Sequence, residues 1–185
     1  ISKFPSDYRS YLFRGLYYSF FTPYHAPSFE QAINNLQRAA DLNPKSALPH
    51  YFIAATYIHG HFWKQMKSEA FRDSERKIEI EELDKALALD PKLIPALASR
   101  AQAYAEMKQY PAALADHTRT LEIDTKNFTA LNDRALSKLE TNDTYGAVLD
   151  FIKAIEQLKP GAAALLSYEY RADAYIKLKQ YGQAI

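Results

Sequence analysis

Cysteine is missing from all 185 residues, which removes disulfides, thiolate metal sites and cysteine nucleophiles together. Glycine is scarce, with five residues, and none lies in a phosphate-binding loop. No apolar run approaches the roughly 20 residues that span a bilayer. The nearest, residues 16–22, is short and rich in tyrosine. Charge of one sign is also lacking: 23 basic residues face 22 acidic ones, for a formal net charge of +1. That balance gives no electrostatic ground for a nucleic acid or an anionic membrane as partner. The expectations are no membrane insertion, no nucleic acid and no cofactor. A cytoplasmic setting is favoured over a periplasmic one, although a cysteine-free chain suits both. The chain begins at Ile1 rather than methionine, so it is expected to be a fragment that has lost its upstream sequence.

What is present is apolar and aromatic material, 48% and 14% of residues, with 14 tyrosines and 10 phenylalanines. Much of it is periodic. A small residue followed three places later by tyrosine recurs as Gly15/Tyr18, Ala54/Tyr57, Ala101/Tyr104 and Ala172/Tyr175, and Ala135 holds the same place with Lys138 as its partner. A second ladder of small residues comprises Ala39, Ala86, Thr120 and Ala154. The step from the second ladder to the next member of the first is 15 residues at 39–54, 86–101 and 120–135. The step within a unit is 19 residues at 101–120 and 135–154, but 24 at 15–39 and 32 at 54–86. The step at 154–172 is 18, which places three extra residues near Gly161, and the other irregularities fall inside units, with about five extra residues in the first turn and about thirteen in the second. Small residues at fixed intervals are what closely crossing helices require, and bulky tyrosines fill the space beside them.

Leu97, Arg100, Ala101 and Tyr104, then Tyr110 and Ala113, then residues 121–124 (LEID), resemble a 34-residue tetratricopeptide repeat. Residues 32–44 and 83–91 resemble its second helix and closing proline. The resemblance implies an all-α, right-handed α-solenoid of helix-turn-helix repeats covering the whole chain. The repeats run approximately over 7–44, 45–93, 94–127, 128–164 and an incomplete 165–185, after which further repeats or a capping helix should follow. Proline and capping signals place helices at roughly 6–22, 28–42, 47–64, 70–89, 95–108, 111–123, 128–141, 144–158 and 164–179. Ser28 with Gln31 reads as a capping box, and Pro95 and Pro111 suit first helical turns.

In such repeats the first helix of each unit lines a concave face that cradles a peptide or helix of a partner protein. The resemblance assigns Phe13, Leu16, Phe20, Tyr51, Phe52, Ala55 and His59 to that face. It continues through Ser99, Gln102, Glu106, Asn132, Asp133, Glu140, Glu169, Asp173 and Lys177. The first half is aromatic and apolar, the second polar with an acidic excess, so a ligand with an apolar end and a basic or amide-rich end is expected. One subfamily grips a terminal carboxylate with lysine and asparagine; Leu12, Leu16 and Phe52 occupy the corresponding places, so no such clamp is assembled.

The second-repeat insertion carries Phe62, Trp63, Met66 and Phe71. These form either a second interface or a closure against the loop at 23–27. Arg14, Arg100, Arg134 and Arg171 each precede a small ladder residue, and Asp116 and Asp150 sit on the second helices before Arg134 and Arg171. Charge pairs between repeats are the expected arrangement. The run Glu79, Glu81, Glu82 and Asp84 reads as a solvated helix face, and His117 as a packed core residue. His50, His59 and His61 form no closed metal set. The leading function is a protein-binding adaptor. The alternatives are a scaffold that self-assembles through an exposed end or the insertion, and the regulatory domain of a larger enzyme.

Overall fold

The computed structural model describes the backbone of residues 7–21, 26–63, 69–157 and 162–177, and the side chains of most of them. Among the described residues there are nine helices and no strand: α1 (Tyr8–Phe20), α2 (Ala26–Leu42), α3 (Leu48–Trp63), α4 (Glu69–Leu89), α5 (Ile94–Glu106), α6 (Tyr110–Ile123), α7 (Phe128–Glu140), α8 (Thr144–Glu156) and α9 (Ala162–Lys177). They group into two compact units, Ile1–Ser99 and Arg100–Ile185. In the first, α1 packs on α2, α2 on α3 and α3 on α4, and α1 also touches α3. In the second, α6 packs on α7, α7 on α8 and α8 on α9.

Both small-residue ladders lie where helices meet. Gly15, Ala54, Ala101 and Ala135 are buried, as are Ala39, Ala86, Thr120 and Ala154, while Ala172 is half-buried. The need for a small residue is sharpest at Gly15, where an added Cβ would stand 2.5 Å from Leu36 Cγ. Leu36 is itself fully buried in a cluster with Leu12, Ala39 and Ile53. The core of the second unit is built from Leu121, Ala130, Leu131 and Ala154 on one side and Ala135, Ala147 and Phe151 on the other.

Local chemistry sets the helix ends. Lys108 and Asn142, 34 positions apart, both adopt left-handed backbone (φ 58° and 64°) just past α5 and α7. The turns are copies: Gln109 donates its N–H to Tyr104 O and Lys108 to Ala105 O, as Asp143 does to Lys138 O and Asn142 to Leu139 O. This paired pattern satisfies the carbonyls that a helix leaves unmet at its C-terminus. Asp90 and Asp124, again 34 apart, each accept from the N–H two residues on and turn the chain into the next repeat. Asn127 and Asp143 cap α7 and α8.

Two expectations need correction. α2 begins at Ala26 rather than at Ser28, so Ser28 is a buried residue inside the helix and not its cap. Glu79 and Glu82 are buried on α4 together with Glu75, one or two turns apart, whereas Glu81 and Asp84 are exposed. A 3.6-residue period carries positions 75, 79 and 82 to one face, which here is the packed one. The insertion is taken up partly by longer helices: α4 has 21 residues against 14 in α6 and 13 in α8. The side chains of Phe62, Trp63, Met66 and Phe71, and that of His61, lie outside the described residues.

The arginine pairs form the third correction. Arg100 holds Asp116 through Nε at 2.8 Å and Nη2 at 2.7 Å, and Arg134 holds Asp150 through the same atoms at the same two distances. Each pair spans 16 residues within one repeat, clamping its first helix to its second, rather than joining one repeat to the next. Between repeats, among the described residues, Arg134 reaches Thr118 at 3.4 Å. Lys138, where the ladder has tyrosine elsewhere, adds a second cation at 2.8 Å from Asp150, whose side chain is only 2% exposed. Burial alone would raise the Asp150 carboxyl; the bonds and charges of Arg134 and Lys138 outweigh it and hold Asp150 below the usual carboxylate range. In the second repeat Glu82 takes the acid's place and accepts from His50 at 2.7 Å and Lys85 at 2.6 Å.

Candidate functional site

In the second unit α5, α6, α7 and α9 surround a cavity of about 790 Å3. Its apolar surface comes from Leu136, Leu139, Ile176 and Ala105, with Tyr110 and Tyr170. Leu136, Leu139 and Tyr170 also pack against the core cluster around Phe151, and the Tyr170 ring lies 5.9 Å from that of Phe151, nearly parallel. The apolar wall is therefore held by the core beneath it. Around it stand Glu106, Asp133, Glu140 and Asp173, with Gln102; among the described residues no lysine or arginine lines the cavity. Arg100, Arg134 and Lys138, on the same helices, are turned to Asp116 and Asp150.

The environment shifts three of the lining groups. Burial raises the Asp133 carboxyl above its ordinary value, and a hydrogen bond from Asn132 offsets that only in part. His117 is 4% exposed. Burial lowers its pKa from 6.5 to about 4, the Asp116 charge opposing and the Arg134 charge adding to the shift, so the ring is neutral at pH 7. Tyr110 is shifted upward by burial and by the charge and hydrogen bond of Glu140.

The structure gathers five of the expected groove residues, Gln102, Glu106, Asp133, Glu140 and Asp173, around this one cavity. Asn132 is turned instead to α9, accepting from Ser167 Oγ at 2.9 Å. Ser99 is half-buried, Glu169 is exposed beside the cavity's α9 residues, and the side chain of Lys177 lies outside the described residues. In the first unit Phe13 is 67% exposed and Phe20 meets His59 edge-on at 4.5 Å. Tyr51 and Phe52 are half-buried with rings 5.1 Å apart. Leu16 packs on the Leu12–Leu36 cluster and Ala55 is buried, so both belong to the core rather than to an open face.

Sequence reasoning missed Tyr110 and His117, which α6 contributes, and the apolar wall of Leu136, Leu139, Tyr170 and Ile176. A signal was available: Leu136, Leu139 and Glu140 follow Asp133 at three, six and seven places, one face of a helix. Ser137, His117 and Asp133 share the cavity, yet among the described residues no hydrogen bond joins them, so no nucleophile relay is assembled. Among the described residues no group of three His, Cys, Asp or Glu is placed to hold a metal, and no helix is long and apolar enough to cross a membrane.

Paired helices, buried small-residue ladders and turns repeating at 34 positions define an all-α protein of helix-turn-helix repeats. Solved structures place it further. YrrB, described as a TPR protein with an unusual peptide-binding site, aligns over all of this chain and 84% of its own, with a TM-score of 0.75 and 18% identity. MamA aligns over 96% of this chain and 85% of its own, with a TM-score of 0.77 and 18% identity. PilF of Pseudomonas aeruginosa covers 96% of this chain and 71% of its own, with a TM-score of 0.69 and 22% identity. The chain has the tetratricopeptide-repeat fold. No protein-family model and no curated protein matches the sequence.

Proposed function

We propose that the protein is an interaction module that binds a polypeptide segment of a partner in the cavity of its second unit. The observation that carries this reading is the cavity itself: an apolar wall fixed by the core, rimmed by polar groups that converge from four helices. A peptide-binding site in YrrB, which shares the fold, supports the same use. A binding role also suits the absence of any hydrogen-bonded nucleophile pair among the lining residues.

Photo-crosslinking tests the proposal. A benzophenone side chain replacing Tyr170, on the cavity wall, should trap a polypeptide in cell extract. The same group replacing exposed Leu149 on α8 should not. The Tyr170 crosslink should disappear in a Leu136→Asp/Ile176→Asp background whose helical circular dichroism is unchanged. Equal crosslinking from both positions, or survival in that background, would remove the cavity from the account.

A further inference from the structure

We infer that the cavity of the second unit selects a cationic side chain, lysine or arginine, on an otherwise apolar stretch of partner polypeptide, with Asp133 as the residue that reads the charge. This rests on the binding reading above and assigns the ligand's chemistry.

The first argument is charge complementarity. Glu106, Asp133, Glu140 and Asp173 line one concavity to which no described lysine or arginine contributes. Arg134 and Lys138 of α7 and Arg100 of α5 are held by Asp150 and Asp116. Arg171 on α9 lies over the Tyr168 ring at 5.2 Å and is not a lining residue. Burial raises the Asp133 carboxyl, and the hydrogen bond that offsets this comes from the neutral amide of Asn132. A half-buried carboxylate without a cation is an unfavourable arrangement that an incoming ammonium or guanidinium group relieves.

The second argument is independent of charge. His117 is 4% exposed and lines the cavity, and no hydrogen bond to its ring is found among the described residues. A neutral imidazole carries one donor and one acceptor, which a ligand in the cavity can engage. A peptide group of a bound segment satisfies them. Lysine and arginine also carry long aliphatic stems, which suit Leu136 and Ile176, and cationic heads that sit well on the faces of Tyr110 and Tyr170.

The test uses the full chain and a set of otherwise identical leucine-containing peptides whose central residue is arginine, lysine, citrulline or glutamate, with affinities read by calorimetry. Arginine and lysine peptides should bind at least tenfold more tightly than the citrulline peptide, the glutamate peptide should be weakest, and the margin should shrink as salt is raised. Asp133→Asn should remove most of the margin between the arginine and citrulline peptides and leave the citrulline affinity unchanged, with an unaltered thermal melt showing that the fold is intact. Asp173→Asn provides a second, more exposed variant with a smaller loss in the same direction. Equal affinity for arginine and citrulline peptides in the wild type would overturn the charge reading and leave the cavity's binding role standing. No binding of any peptide, together with failed crosslinking at Tyr170, would overturn both.

Discussion

The first-helix arginine occupies the same register in both units, but its surroundings differ. In the second unit Arg100 and Arg134 each close a bidentate clasp on an aspartate of the paired helix. In the first, Arg14 packs over Tyr11 at 5.2 Å, and its buried Nε and Nη2 find no hydrogen-bond partner among the described residues. The corresponding position on α2, four residues before the ladder residue Ala39, is Asn35, which donates instead to Gln31 O. Surface chemistry diverges in parallel. The first unit exposes Phe13, Tyr17 and Phe20 on α1 and Phe21 at its C-cap, while the second presents a carboxylate-rimmed cavity. One repeat scaffold thus carries an aromatic face held mainly by apolar packing and an acidic one held by ion pairs. A helix pair needs only its small-residue ladder to cross; what clamps it and what it displays are free to change.

The comparison can be broken where it is strongest. Asp150→Ala leaves Arg134 and Lys138 facing each other in a largely buried place, and should cost about 3–5 kcal/mol in urea unfolding of the second unit. A cost below about 1 kcal/mol would mean that the clasp contributes little. Acid should separate the units next. His117 has a folded pKa near 4, below its unfolded 6.5, so unfolded chain binds the extra proton first. Its contribution is complete above pH 6.5 and is lost as pH falls towards 4. The second unit should therefore lose on the order of 2–3 kcal/mol across that window, and His117→Phe should flatten the dependence.

The apolar half answers to size rather than charge. Gly15→Ala drives a methyl against Leu36 and should destabilise the first unit by about 1–3 kcal/mol, even though alanine is the better helix former. A rise in melting temperature would show that Leu36 has room to yield. Asn35→Asp supplies Arg14 with the acid that the other repeats possess. It should stabilise by about 1 kcal/mol, an effect that Arg14→Leu must abolish in a double-mutant cycle. The smallest effect belongs to the shared turns: Lys108→Gly and Asn142→Gly relieve left-handed backbone and should each add roughly 0.5 kcal/mol or less.

The fold was legible because it rests on periodicity, and small residues at a close crossing leave few alternatives. All nine helices of the described residues lie within two residues of their expected ends. The clasps were read with the right residues and the wrong partners. Sequence spacing shows that Arg134 and Asp116 are 18 apart and Arg134 and Asp150 16 apart, but not which of two packed helices the arginine stem leans across. Burial on α4 failed for a similar reason. Charged residues at 75, 79 and 82 share a face, and only the neighbouring helix decides whether that face is wet. The groove was half legible, since its acids lie on first helices, while His117 reaches it from a second helix.

The most direct test of the binding account is a methyl-resolved NMR titration of the full chain with the arginine peptide. The account predicts saturable shifts at Leu136, Leu139 and Ile176, with the methyls of Leu12 and Leu16 in the first unit unmoved. Shifts centred on Leu12 and Leu16, with the cavity methyls silent, would place the binding face on the aromatic unit and contradict it.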